Sequence, residues 1–388
     1  MDSPRGRIAL MRAASDGLIE LGGKFENHIN LCLMCRACEQ ACPSGVRYGT
    51  LIETTRVALE KARSQGVIER FIRWLALRQL MPHQNRLRLI ASCLRLYQSL
   101  RIQHVVRKWN FLPRALRNAE ALLPRISAFR PDYRSFAPAI REHRGKVAFF
   151  HGCVQDAFFG EVNTATVRVL QRNGYEVHFP KEQTCCSAAQ LHVGEEELFL
   201  GLARKNIDSF SGENYVAIIN NAGGCGSTLK EYDHLLRNDP VYAEKAREFS
   251  TQVKDINEFL VENLHVPPKG TIKARVTYSD SCHLRHVQKV ITQPRDLLHQ
   301  IPGIELVELN KPDRCCGSAG VYNLVQEETA NKILDEKMAD IASTGADTIV
   351  TTNTGCHLQL INGVRRLRLN MRVVHLVELL DQSYEAGN

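Results

Sequence analysis

The sequence predicts a mixed fold in three parts. Residues 1–65 form a helical N-terminal domain, residues 66–145 a basic helical connector, and residues 146–268 and 269–388 two repeated α/β units with parallel sheets. Two observations carry this prediction: cysteines recur at matched spacing in the second half, and short apolar strands alternate with helical segments between them. A chain of 388 residues is long enough for several such cores.

The cysteine spacing of the second half defines the internal repeat. Within each unit one cysteine precedes an adjacent pair and another follows it. The two groups are Cys153, Cys185, Cys186 and Cys225, then Cys282, Cys315, Cys316 and Cys356. The surrounding sequences also match, "EVHFPKEQTCCSA" with "ELVELNKPDRCCGSA" and "VKDINEFLVE" with "VVHLVELLDQ". One structural unit therefore occurs twice.

The segments between the cysteines alternate in type. In the first unit, "KVAFF", "YEVHF" and "YVAIIN" are typical of buried strands, and "VNTATVRVLQRNG" and "GEEELFLGLARKNIDSF" of helices. Cys153 and Cys225 directly follow two of these strands. Ligand sites of open parallel sheets lie at the carboxyl ends of the strands, so we expect the four cysteines of each unit to meet there.

The repeated groups have the chemistry of metal ligands. Four thiolates per unit suit an iron–sulfur cluster or Zn²⁺, and both alternatives stay open. Gly223, Gly224 and Gly317 beside the cysteines allow close backbone approach to a bulky cofactor. Histidines near the cysteines are expected to be hydrogen-bonded neighbours and not ligands: His151, His192, His283, His286, His357 and His375.

The N-terminal domain carries a different cysteine motif. Cys32, Cys35, Cys38 and Cys42, followed by Pro43, have the spacing that grips [4Fe–4S] clusters, and a zinc knuckle is the alternative. Three closely spaced thiolates bind one cubane, and the fourth points to another cluster. The first three cysteines therefore need a further ligand from elsewhere.

The connector is strongly basic. Residues 51–150 hold 20 Lys and Arg against 6 Asp and Glu, which suggests an anionic partner surface. "NRLRLIASCLRLYQSLR" is typical of an amphipathic helix with a stripe of Leu87, Ile90, Leu94 and Tyr97. The stripe either packs on the rest of the protein or contacts a membrane or a partner. Cys93 is expected on the apolar side, in the core.

The remaining sequence excludes several classes. No run of 18 apolar residues and no signal peptide is present, which predicts a cytoplasmic protein, free or peripheral on the cytoplasmic membrane face. Thirteen cysteines in such a chain indicate metal ligation or redox chemistry and not disulfides. No P-loop or nicotinamide or flavin signature occurs, so no catalytic residue and no nucleic-acid partner are expected.

The sequence resembles the iron–sulfur subunit family of glycolate oxidase. "DSPRGRIALMRA", "CRACEQACPSGVRYGTLIE", "CCGSAG" and "TTNTGC" carry the resemblance, and the repeats resemble the CCG cysteine-rich domain. The resemblance implies an electron-transfer subunit that binds a ferredoxin-type [4Fe–4S] cluster. Its partners would be flavin subunits that oxidise glycolate to glyoxylate, with a membrane acceptor such as quinone. One alternative is an iron–sulfur subunit for lactate or glycerol-3-phosphate oxidation. Another is a zinc-stabilised docking scaffold.

Two departures from that family stand out. The family usually has two ferredoxin motifs, and the first precedes the "SPRGR" segment, whereas Met1 here stands two residues before Ser3. We therefore expect Met1 to be internal to a longer reading frame, and the cluster to bind poorly without the upstream motif. The superfamily also often ends each repeat in Cys-x-x-Cys, but Ala222 and Asn353 occupy the first of these positions. Four thiolates per unit instead of five argue against a large non-cubane cluster.

Overall fold

The N-terminal domain is helical. The computed structural model describes residues 1–109, 114–128, 130–134 and 136–387. The helices of the N-terminal domain are α1 (Pro4–Ser15), α2 (Gly23–Asn30), α3 (Ala37–Gln40) and α4 (Tyr48–Ala62). Ser3 caps α1 through a hydrogen bond from Gly6 N. Ile29 and Ile52 are fully buried in a small core between α2 and α4.

The connector consists of further helices. They are α5 (Val67–Arg73), a π-helix (Trp74–Leu80), α6 (Gln84–Ser99), α7 (Ile102–Trp109) and α8 (Arg114–Ala121). Leu87 and Ala91 of α6 pack into the core of the first repeat, so this stripe contacts the protein itself. None of the described helices is both long and apolar enough to cross a membrane.

The prediction that Cys93 lies in the core is wrong. Its side chain is exposed, whereas Ala91 of the same helix is fully buried. A helix turns by about 100° per residue, so Cys93 lies about 200° round the axis from Ala91. The amphipathic pattern located the buried face correctly, and Cys93 is outside it.

The first repeat is a four-stranded parallel sheet with helices. Its elements are β1 (Gly145–Phe150), α9 (Val154–Phe158), α10 (Gly160–Arg172), β2 (Tyr175–His178), α11 (Ala188–His192), α12 (Glu196–Phe210), β3 (Ala217–Asn220), α13 (Gly223–Lys230), α14 (Tyr232–Leu235), α15 (Ala243–Gln252), β4 (Val253–Asp255) and α16 (Ile256–Asn263). The strand order is β2-β1-β3-β4. The predicted strands β1, β2 and β3 are confirmed, and β4 was not foreseen.

The second repeat has the same order, β6-β5-β7-β8, which confirms the predicted fold class. Its elements are β5 (Ala274–Tyr278), a π-helix (His283–Val287), α17 (Gln293–His299), β6 (Ile304–Leu306), α18 (Tyr322–Val325), α19 (Glu327–Ser343), β7 (Thr348–Thr351), α20 (Thr354–Arg366), β8 (Arg372–His375) and α21 (Leu376–Ala386). The register of the strands repeats as well. Val147 in the first sheet pairs with both neighbouring strands, and Val276 does the same in the second sheet.

The two repeats pack on each other reciprocally. The last helix of each repeat contacts the first long helix of the other, α21 against α10 and α16 against α17. One hydrophobic core runs through both units. Asp381 of α21 receives Arg172 Nη1 of α10 at 2.8 Å and Arg168 Nη1 at 3.1 Å. Both units therefore form one rigid body with their sheet edges in a fixed relation.

Matching capping boxes begin the last helix of each repeat. Asp255 caps α16 and His375 caps α21, each with a glutamate three residues later. His375 Nδ1 accepts from Val377 N at 3.2 Å, and His375 Nε2 donates to Asn221 O of the other repeat at 2.9 Å. This arrangement uses the neutral ring, and burial lowers the pKa of His375 to about 3.

We predict that His375→Ala lowers the free energy of unfolding by about 2 kcal/mol at pH 7, because the cap and the contact to Asn221 are both lost. His375 titrates near pH 6.5 when unfolded and near 3 when folded, so its contribution is complete above pH 6.5 and declines as the pH falls towards 3. Denaturant unfolding between pH 4 and 7.5 measures this, with the exposed His299→Ala as control. A gap between wild type and H375A that stays constant with pH would contradict the assignment.

Candidate cysteine-ligated metal centres

The first repeat gathers its four cysteines at the carboxyl edge of its sheet. Cys153 lies between β1 and α9, the pair Cys185–Cys186 follows β2, and Cys225 lies in the first turn of α13 after β3. The sulfurs of Cys153 and Cys185 are 3.3 Å apart. Hydrogen bonding with Cys185 and Cys225 lowers the pKa of Cys186. The four thiols thus form one continuous group.

The second repeat builds the equivalent group. Cys282 follows β5, the pair Cys315–Cys316 follows β6, and Cys356 lies in the first turn of α20 after β7. The sulfurs of Cys316 and Cys356 are 3.3 Å apart. Hydrogen bonding with Cys282 lowers the pKa of Cys315, and hydrogen bonding with Cys316 lowers that of Cys356.

The donor sets fit iron–sulfur groups. Each repeat offers four soft thiols in one continuous group, with hydrogen bonds that favour thiolates at some of them. The 3.3 Å sulfur contacts are shorter than the roughly 3.8 Å edge of a tetrahedron with 2.3 Å zinc–sulfur bonds. Within the described ranges no set of three or more His, Cys, Asp and Glu is arranged around a point for a single metal ion. The thiols must spread to admit any metal.

Both cysteine groups face one cavity. It has a volume of about 400 Å³, and all eight cysteines of the repeats line it. Gly224 N of the first repeat donates to Asn353 Oδ1 of the second at 2.9 Å, and Asn353 Nδ2 donates to Cys356 Sγ at 3.3 Å. Asn353, which stands where the superfamily often has cysteine, therefore ties one cysteine group to the other repeat.

The glycines beside the cysteines serve this contact between repeats. A Cβ on Gly223 would lie 2.9 Å from Ser281 Oγ, and one on Gly224 would lie 3.1 Å from Asn353 Oδ1. A side chain at either position would require the facing side chain of the other repeat to shift. The sequence predicted close approach to a cofactor at these glycines, whereas in the structure the approaching group is the other repeat.

Cys32 and Cys35 lie in a tight loop between α2 and α3, Cys38 lies in α3 and Cys42 follows that helix. Cys32 is buried, and its sulfur accepts from Met34 N at 3.4 Å and from Tyr48 Oη at 3.7 Å. Met34 and Arg36 have left-handed backbone, with φ of 53° and 59°, which tightens the loop around Cys35. The charges of Cys32 and Cys38 both act on Cys35, so the three thiols are neighbours.

Cys42 belongs to a separate turn. Backbone N–H groups of Val46, Ser44 and Gly45 lower its pKa. That the fourth cysteine of the run points away from the first three stays a prediction.

The N-terminal loop lies directly against the second repeat. His283, the neighbour of Cys282, contacts Met34 O through Nε2 at 2.8 Å, and His286 hydrogen-bonds Gln40. Burial and the charge of Cys315 raise the pKa of Cys35 to about 12. Cys35 is therefore close to the second cysteine group, a relation that no spacing in the sequence indicates.

The histidines near the cysteines are mostly held by backbone carbonyls. His357 Nε2 contacts Val373 O at 3.1 Å, and His151 Nδ1 contacts Gly152 O at 3.3 Å. Burial lowers the pKa of each to about 4, so both are neutral near pH 7. They behave as hydrogen-bonded neighbours, as expected from the sequence.

Two known protein families match parts of this chain. The family "Cysteine-rich domain" (CCG) matches residues 147–230 and 276–361, and "Glycolate oxidase iron-sulfur subunit, linker region" matches residues 68–123. Among solved structures, a hypothetical protein from Helicobacter pylori aligns with a TM-score of 0.46 and 12% identity over 70% of this chain and 54% of that one. That likeness is too distant to support any conclusion.

The curated relatives are much closer. "Probable glycolate oxidase iron-sulfur subunit" of Bacillus subtilis is 45% identical over 97% of this chain and 87% of its own length. "Glycolate oxidase iron-sulfur subunit" of Escherichia coli is 34% identical over 99% and 89%. "Lactate utilization protein A" of Oceanobacillus iheyensis is 34% identical over 62% of this chain and 99% of its own. On this evidence, and with two cysteine-rich repeats in place, the chain belongs to the glycolate oxidase iron-sulfur subunit family.

Proposed function

We propose that this chain carries electrons within a glycolate-oxidising complex. Flavin-containing partner subunits oxidise glycolate to glyoxylate, and the chain passes the electrons to a membrane quinone. The observation that supports this most is spatial: both repeat groups line one cavity, and the N-terminal cysteine loop lies against the second repeat through Met34 and His283. Closely spaced redox groups are what stepwise electron transfer requires.

The proposed cluster ligands come from all three groups. Iron–sulfur clusters held there supply one-electron transfer, and the protein supplies their position and surroundings. The residues are Cys32, Cys35, Cys38 and Cys42 for ferredoxin-type [4Fe–4S] chemistry, and Cys153, Cys185, Cys186, Cys225, Cys282, Cys315, Cys316 and Cys356 in the repeats. No residue of the chain is assigned a catalytic role, so substrate chemistry belongs to the partner subunits.

The connector supports a peripheral membrane position. Apolar side chains on α5 and the π-helix are exposed together, namely Val67, Ile68, Phe71, Ile72 and Trp74. They lie in the chain's basic segment. Exposed apolar side chains among arginines suit the interface of an anionic lipid surface.

A second candidate substrate is lactate, because "Lactate utilization protein A" of Oceanobacillus iheyensis is 34% identical to this chain over 62% of its residues. Glycerol 3-phosphate is a further alternative for the same electron-transfer role. A zinc-stabilised docking scaffold is the alternative from a different class.

We predict that the chain, reconstituted anaerobically with iron and sulfide, binds iron and gives a reducible EPR signal. Cys153→Ser removes a proposed ligand from the first repeat, and Cys282→Ser removes one from the second. Each variant should lose the iron that its repeat binds. Cys93→Ser is the matched control, since Cys93 is exposed and outside the three groups. Zinc without iron in the native protein would favour the scaffold instead.

We predict that the complex purified with its flavin subunits reduces these centres with glycolate at least tenfold faster than with lactate or glycerol 3-phosphate. Rapid-freeze EPR after substrate addition measures the rate, and flavin analysis of the pulled-down complex identifies the donor. Faster reduction by lactate would move the chain to the second candidate.

We predict that the chain sediments with vesicles containing anionic phospholipid and that salt weakens this binding. Val67→Ser combined with Phe71→Ser should weaken it at least tenfold, because both exposed side chains lose apolar area. Leu18→Ser, equally exposed but outside the connector, is the control. Equal sedimentation of both variants would exclude this membrane surface.

A further inference from the structure

A second, larger cavity lies outside the one that the repeat cysteines share. Its volume is about 790 Å³, within the range of about 300–1,000 Å³ that is typical of small-molecule sites. Residues of four regions enclose it: α2, the cysteine loop and α4 of the N-terminal domain, α5 with the following π-helix, His192 and Val193 of the first repeat, and the segment around α18 of the second repeat. The cavity therefore depends on the assembled fold.

A buried cation lines this cavity. The Arg56 guanidinium donates to Cys32 O at 2.8 Å and to His192 O at 3.0 Å. Its Nε has no hydrogen-bond partner within the described part of the chain. Arg56 brings a positive charge to the wall of the cavity, and a ligand carbonyl beside its guanidinium would be a favourable acceptor.

Apolar side chains line the cavity where it meets solvent. Ile68, Ile72 and Val325 line it and are 77%, 58% and 71% exposed. The buried wall between them and Arg56 is also largely apolar, with Leu59 and Leu77. Ion-paired side chains also line the cavity, Arg63 with Glu26 and Glu69, and Arg73 with Glu60. The apolar wall together with these polar groups matches an amphiphile that has a polar head and an apolar tail.

The cavity lies beside the proposed redox centres. Cys32 lines it directly, and His192 lies in the wall that it shares with the cavity of the eight repeat cysteines. A ligand here would contact a proposed cluster ligand. Its mouth is formed by the same α5 segment whose exposed apolar residues suit a lipid surface.

We propose that this cavity binds the ring of a membrane quinone, with the ring carbonyls towards Arg56 and the isoprenoid chain leaving between Ile68 and Val325. This rests on the proposed function and assigns the place where electrons leave the chain. In the overall step two electrons from the iron–sulfur groups and two protons from solvent convert the two C=O groups of the quinone into the C–OH groups of the quinol. Oxidation of glycolate to glyoxylate in the partner subunits supplies the two electrons.

The test is photolabelling of the full-length chain with a short-chain azido-ubiquinone, followed by peptide mass spectrometry. We expect label within residues 68–77 and 319–326, displaced by excess decylubiquinone but not by decanoate. Label spread over other exposed apolar helices, or displaced equally by decanoate, would show a non-specific lipid contact and overturn the proposal.

Two variants sharpen this result. Ile72→Ser removes apolar lining at the mouth and should weaken quinone binding about tenfold, which corresponds to about 1.4 kcal/mol. Leu89→Ser is the matched control, because Leu89 is a similarly exposed connector residue outside the cavity. Ala76→Phe should block labelling by filling the cavity while it leaves the mouth apolar. Equal labelling of I72S and L89S, or full labelling of A76F, would contradict the site.

The labelling result tests the quinone site independently of the proposed electron-transfer function. Photolabelling needs neither clusters nor partner subunits, so it can succeed even if the chain binds no iron, in which case the proposed function fails and the quinone site stands. If labelling fails while glycolate still reduces a soluble dye through the complex, the quinone site is wrong and the electron-transfer function stands.

Discussion

The reciprocal packing of the two repeats is the constraint on which the rest of the structure depends. Because α21 covers α10 and α16 covers α17, neither repeat buries its apolar helix faces without the other. The same packing turns the carboxyl edges of the two sheets towards each other. Two groups of four thiols, remote in sequence, consequently line one cavity. A single repeat would hold its cysteines at an open edge, where solvent reaches them.

The N-terminal loop extends this arrangement to a third group. His283 connects the backbone of Met34 to the residue next to Cys282, and Arg36 reaches Glu231 of the first repeat at 2.5 Å. The loop is therefore held by both repeats, with Cys35 towards the second cysteine group. Its position is set by contacts between domains, which is why the ferredoxin-type spacing alone could not reveal it.

Much of the fold could be predicted from local pattern. Strands β1, β2 and β3 are short apolar runs with clear boundaries, and the repeat of the cysteine spacing predicted the second unit from the first. Strand β4 has only three residues, too few to show a period. Cys93 was predicted in the core because it lies between Ile90 and Leu94 of the apolar stripe, but its angle round the helix puts it outside the buried face.

The site could be predicted only in its parts. Spacing identified the residues of each cysteine group, since one loop or one sheet edge brings them together. The shared cavity, the contact of the N-terminal loop with the second repeat and the cavity beside Arg56 arise from packing between distant segments. Asn353 illustrates this: the sequence shows a missing cysteine, and the structure shows an amide that hydrogen-bonds Cys356 and the other repeat at once.

The central claim is that the three cysteine groups form one connected series of redox centres. The most direct measurement is EPR of the reconstituted chain during stepwise reduction. We expect the spectra to be broadened or split by magnetic interaction between neighbouring centres. We expect Cys282→Ser to remove this interaction. Signals that stay narrow and independent at full reduction would contradict it.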